Sequence, residues 1–82
     1  MPEREYVILV SIDKCRGNYF PYGDLNIPVV RTQIGDRMFG LVLNLSLIHK
    51  IADYLVTNKY IFTTAYISKE LYNYYYGQHY SS

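Results

Sequence analysis

Val29-Val30-Arg31-Thr32-Gln33-Ile34-Gly35-Asp36-Arg37-Met38-Phe39-Gly40-Leu41-Val42-Leu43 is the stretch from which the fold is read. Two runs rich in β-branched, aliphatic and aromatic residues, 29–34 and 37–43, flank Gly35-Asp36, and a glycine there supplies the positive φ that a two-residue hairpin turn requires. The prediction is a β-hairpin. Gly40 interrupts its second strand and marks either a bulge or a close approach to the backbone. Upstream, residues 6–12 predict another strand, with Tyr6, Ile8, Val10 and Ile12 on one face and Val7, Leu9 and Ser11 on the other. A strand apolar on both faces belongs in the middle of a sheet or beneath two layers. Between strand and hairpin, residues 13–28 are punctuated by Gly17, Asn18, Pro21, Gly23, Asn26 and Pro28. They read as a long loop, and structureless connections of that length are often functional.

Downstream the period becomes helical. Over 45–57, Leu47, Ile48, Ile51, Tyr54 and Leu55 form one stripe, with His49, Lys50, Asp53 and Thr57 opposite. Asn44 or Ser46 suits the N-cap, and Asn58 a left-handed stop. In the tail, residues 60–67 have strand composition, but Ile67, Leu71, Tyr74 and Tyr75 follow helical spacing. We expect an extended piece at 60–62 and then a helix ending near Gly77, capped by Thr63, Thr64 or Ser68, with Glu70 favoured near its positive end. On that helix Tyr74 and Tyr75 share the buried Leu71 face, and Tyr72 and Tyr76 form a separate exposed ridge. The expected fold is α+β: a small three-stranded, mainly antiparallel sheet with a hairpin, four-stranded if the tail adds a strand. One helix covers a face and the tail helix packs beside it.

Eighty-two residues and 9.7 kDa make a single domain, 1–82. Half the residues are hydrophobic and 18% are charged, a balance that folds rather than staying disordered. Cys15 is the lone cysteine, so neither an intramolecular disulfide nor a multi-cysteine zinc site supports the core. A reducing compartment is the default expectation. Met1-Pro2-Glu3-Arg4-Glu5 carries acids where a secretory signal would carry cations, and the longest apolar run, 7–10, is too short to cross a bilayer. The chain is therefore expected to be soluble and cytoplasmic, with the sequon Asn44-Leu45-Ser46 unglycosylated. A net charge of +1 draws in neither nucleic acid nor an anionic membrane.

Catalysis needs a nucleophile or acid matched to a base, or a metal held by several ligands. His49 and Asp53 lie four apart on a helix, a spacing more typical of a solvated face, and His79 lies in the tail. Cys15 stands in Asp13-Lys14-Cys15-Arg16-Gly17, where two cations would favour the thiolate, but no base or resolving cysteine accompanies it. Arg16-Gly17-Asn18 lacks the pattern of a phosphate loop. We expect no enzyme activity, cofactor or metal.

Eleven tyrosines with no tryptophan are the unusual number. Tyrosine buries a large ring while keeping a hydroxyl, and it is enriched at interfaces; A/T-rich codons would also raise the count. The partner-binding candidates are Tyr19, Phe20 and Tyr22 in the long loop and Tyr72, Tyr76 and Tyr80 in the tail. An unpaired hairpin edge would let the chain pair with its own copy as a two-fold dimer. The expectation is a non-enzymatic protein-interaction module that self-associates, a kind of chain common among inhibitors, adaptors and assembly proteins of viruses and mobile elements. The alternative is nucleic-acid binding. Following the helix at 48–56, Phe62-Thr63-Thr64-Ala65-Tyr66-Ile67-Ser68-Lys69-Glu70-Leu71 resembles the first two helices of a helix-turn-helix or winged-helix domain over about 30 residues. A threonine opens the helix and Ile67 and Leu71 pack inward. The resemblance implies phosphate contacts from Thr63, Thr64, Ser68 and Lys69. Tyr72 stands where the turn glycine is usual, and no basic recognition helix follows.

Overall fold

The structure, a computed structural model, describes residues 3–43 and 46–80, with residues 78–80 described by backbone alone. Strand β1 (Arg4–Ser11) runs into a single 3₁₀ turn (Ile12–Lys14). Then come β2 (Tyr19–Tyr22), β3 (Leu25–Ile34), β4 (Arg37–Val42), helix α1 (Ile48–Thr57), β5 (Phe62–Ser68) and helix α2 (Lys69–Tyr80). The strands form one antiparallel sheet in the order β2-β3-β4-β1-β5. Five strands replace the three or four expected from sequence.

The hairpin stands. Ile34 pairs with Arg37 across Gly35-Asp36, and Gly35 has φ 64. A positive φ at the first central residue alone is the pattern of a type II′ turn, for which glycine leads. The same chemistry explains the first additional strand. Gly17-Asn18 and Gly23-Asp24 repeat the glycine–Asn/Asp signal with φ 59 and 58 at the glycines. One turn closes the bridge between Arg16 and Tyr19, and the other joins Tyr22 of β2 to Leu25 of β3. The expected loop 13–28 is thus two tight turns with a strand between them. Pro21 sits on β2, an edge strand, where a missing N–H is tolerated.

The second additional strand overturns the helix expected from 63 onward. Val7, Ile8, Leu9 and Val10 of β1 are at most 8% exposed, so their backbone groups need partners on both flanks. β4 serves one flank, and 62–68 serves the other through seven consecutive pairs from Arg4–Ser68 to Val10–Phe62. Satisfying a buried ladder outweighs the helical spacing of Ile67, Leu71 and Tyr74. The helix begins only at Lys69, where Ser68 Oγ accepts the Leu71 N–H at 3.1 Å as its cap.

Alternation along β1 divides the core. Ile8 and Val10 meet Phe20, Ile27, Val29 and Val42 beneath Ile48, Ile51 and Leu55 of α1. Val7 and Leu9 meet Leu41, Leu43 and Tyr72 of α2 on the other side. The two helices therefore cover opposite faces of the sheet and do not lie side by side. Gly40 marks a close approach and no bulge: pairing continues through it to Val10 and Arg31, and a Cβ there would stand 2.7 Å from Cys15 Sγ. At the start of α1 the N-cap position is Leu47, and Asn44 lies outside the described residues. At its end Asn58 has φ −89, its Nδ2 donating to the Tyr54 carbonyl at 2.7 Å. The left-handed residue is Lys59, at φ 57.

Candidate interaction surface

Much of the tyrosine set is structural. Tyr54 of α1 stacks on Tyr22 with centroids 5.0 Å apart, and meets Phe20 and Tyr60 edge-on at 6.2 and 6.3 Å. Phe20 and Tyr22 fasten α1 to the β2–β3 hairpin and Tyr60 fastens it to the segment leading into β5, each pair adding roughly 0.5–1.5 kcal/mol beyond its buried area. Two partner-binding expectations are corrected accordingly. Phe20 is 1% exposed, because β2 directs it beneath α1. Tyr72 is 7% exposed, because a helix that starts at Lys69 turns this ring onto Val7, Leu9, Leu41 and Leu43, where its hydroxyl donates to the Leu43 carbonyl. The faces of α2 differ from those expected at three positions: Leu71 and Tyr74 are exposed and Tyr72 is core, whereas Tyr75 is half-buried against the same cluster and Tyr76 is exposed as expected. Tyr22 is half-buried in its stack, whereas Tyr19 and Tyr76 are exposed. The side chain of Tyr80 lies outside the described residues, as does that of His79.

The residues suggested for phosphate contact line β5 and the first turn of α2. Thr63, Thr64, Ser68 and Lys69 are all exposed. Ser68 caps α2, and Lys69 Nζ pairs with Glu3 Oε2 at 3.0 Å. Because 62–68 is a strand paired with β1, the helix-turn-helix arrangement suggested by the sequence is not formed there.

The candidate reactive groups are dispersed. Burial pushes the Cys15 thiol above its ordinary pKa, partly offset by Arg31 and reinforced by Asp13, which reverses the expectation of a favoured thiolate. His49 and Asp53 are exposed on α1, and the imidazole stacks on Tyr6 with centroids 5.7 Å apart. Among the described residues no three His, Cys, Asp or Glu side chains gather as metal ligands, and no helix is long and apolar enough to cross a membrane.

Two features lay outside the sequence expectations. The first is the outer edge of β5, with which no described strand pairs. Its sequence, Phe-Thr-Thr-Ala-Tyr-Ile-Ser, holds no charge, proline or glycine, the usual devices that stop an edge from recruiting another strand. The opposite edge is β2, four residues long and containing Pro21, continued by residues 30–34 of β3, which carry Arg31 and pair on their outer side with no described strand. Near the open edge Ile61 is 86% exposed and Tyr66 66%. The second feature is a hollow of about 410 Å³ at the end of the sheet where β1 finishes and β4 and β5 begin. Leu9 and Phe39 line it with Lys14, Arg37 and Lys59, and Asp13 is the sole carboxylate in its wall. Lys14 Nζ lies 4.9 Å from the Tyr60 ring centroid. The β5 edge was legible only after the pairing of β1 was known; the hollow joins residues from three separate stretches, 9–14, 37–39 and 59–63. Compared with protein-family models, curated proteins and solved structures, the chain matches none.

Proposed function

We propose that this chain is a non-enzymatic protein-binding module that associates with itself by strand addition at the open edge of β5. The observation that carries this reading is the contrast between the two sheet edges. β2 is short and interrupted by proline, and the open part of β3 beyond it carries Arg31, whereas β5 presents seven uncharged residues in unbroken register with β1. An exposed row of unpaired N–H and C=O groups is a ready template for a further strand. The identical edge on a second copy supplies that strand, and two-fold pairing satisfies both at once.

Antiparallel pairing centred on Ala65 overlaps the whole of β5. It sets Thr64 opposite Tyr66 of the second copy and Thr63 opposite Ile67, pairs of the β-branched and aromatic kind that stabilise ladders by about 0.2–1 kcal/mol each. The result is a continuous sheet through both subunits. Ile61 and Tyr66, the two most exposed large apolar side chains among the described residues, lie at or beside this edge.

The test is the double substitution Thr64→Lys with Tyr66→Lys, which places four like charges across the pairing line. Sedimentation velocity should show a wild-type dimer and a monomeric variant, while circular dichroism shows both folded. A wild-type chain that stays monomeric at high micromolar concentration would overturn the proposal.

A further inference from the structure

We infer that the hollow at the basic end of the sheet receives the acidic first turn of α2 from a second copy, so that a dimer is closed by two symmetric charge contacts. This rests on the self-association through β5 proposed above, and it specifies what lies at both ends of that interface.

The two ends of the molecule along β5 differ in charge. At the beginning of β5, Lys14, Arg37 and Lys59 surround the hollow against Asp13, and among the described residues none of these three cations makes an ion pair. At the far end of β5 stand Glu3, Glu5 and Glu70 with Arg4 and Lys69. Glu3 holds Lys69 at 3.0 Å, whereas Glu70, exposed in the same first turn of α2, makes no ion pair among the described residues. Antiparallel pairing brings unlike ends together by its direction alone.

The register makes the contact specific. If Ala65 faces its own counterpart, residue numbers across the paired strands sum to 130, so Phe62 faces Ser68 of the second copy, and the first turn of that copy's α2, with Lys69 and Glu70, emerges beside residues 59–61. Facing residues at that last pair lie about 4.5–5.5 Å apart, so the long side chains of the adjoining turn come within reach of residues 59–61. Beyond Ser68 the second copy's chain turns into α2 on the same sheet face that Leu9, Phe39 and Thr63 present to the hollow. Its Glu70 then enters beside Lys59 and Lys14. Leu71, which is 40% exposed in the single chain, approaches Ile61. The hollow is thereby the incomplete half of an interface, filled by the element whose counterpart is missing in one chain alone.

A charge-reversal experiment isolates this contact. In a Lys59→Glu homodimer both contacts set glutamate against Glu70, and in a Glu70→Lys homodimer both set lysine against Lys59. Mixed together, the two variants form a heterodimer in which both contacts are again of opposite sign. Each variant alone should dimerise roughly tenfold more weakly than wild type at low salt. Mixing differently labelled variants should give heterodimers by resonance energy transfer with near wild-type affinity, and 0.5 M salt should remove most of the difference. A wild-type dimer with variants of unchanged affinity, or no preference for the heterodimer, would overturn the contact and leave strand addition standing. A monomeric wild type would overturn both.

Discussion

Tyr72 shows how one side chain fixes the placement of a helix. Its ring fills the face between Val7 and Leu43, and its hydroxyl donates to a buried carbonyl at the end of β4. Removing that donor leaves the Leu43 acceptor unsatisfied, a cost of about 1–2 kcal/mol. Tyr72→Phe should therefore lower the melting temperature by roughly 5–10 °C, measured by circular dichroism, without changing self-association. A melting temperature unchanged from wild type would show that the hydroxyl contributes nothing to the seating of α2. Cys15 is the companion case: Lys14 and Arg16 adjoin it in sequence, yet its environment is set by burial against Gly40, which has no Cβ to displace it.

Among the elements, α1 ends in an uncommon way. Lys59 holds φ 57, a conformation in which a side chain other than glycine costs about 1–2 kcal/mol. Lys59→Gly should relieve that strain and stabilise the fold by roughly 0.5–1 kcal/mol after the extra entropy of glycine is deducted. The same substitution removes a cation from the hollow. It should raise thermal stability while weakening dimerisation, a divergence that calorimetry and sedimentation read separately. Loss of both together would place Lys59 among the residues that hold the fold. The sequence names this stop one residue early, at Asn58, because asparagine is the commoner left-handed residue; here its amide instead binds the Tyr54 carbonyl. The β5 segment teaches the same lesson on a larger scale. Its β-branched and aromatic composition favours a strand and its spacing favours a helix. The unfilled flank of β1 decides between them.

At the scale of the whole molecule, Ile61, Tyr66 and Tyr74 are large apolar side chains more than half exposed, surface of the kind that association would bury. With net charge +1 and the eight basic residues scattered, three around the hollow, two at the far end of β5 and three elsewhere, no continuous cationic stripe spans the sheet among the described residues. Fluorescence titration with mixed-sequence DNA and RNA at low salt should accordingly detect no binding tighter than micromolar. Tight binding that weakens steeply with salt would put nucleic acid ahead of protein as the partner.

What the sequence determined by itself is local. Three glycine–Asn/Asp pairs set tight turns because only glycine adopts their positive φ without cost, although only Gly35-Asp36 lies between two runs long enough to read as a hairpin from sequence. Alternation in β1 required cover on both faces, and the α1 stripe required a core beneath it. Tertiary structure alone decided the strand count, the side of the sheet on which α2 lies and which tyrosines reach solvent. Each of those depends on hydrogen bonds between segments far apart in the chain, and no local pattern records whether a buried strand has found its second neighbour.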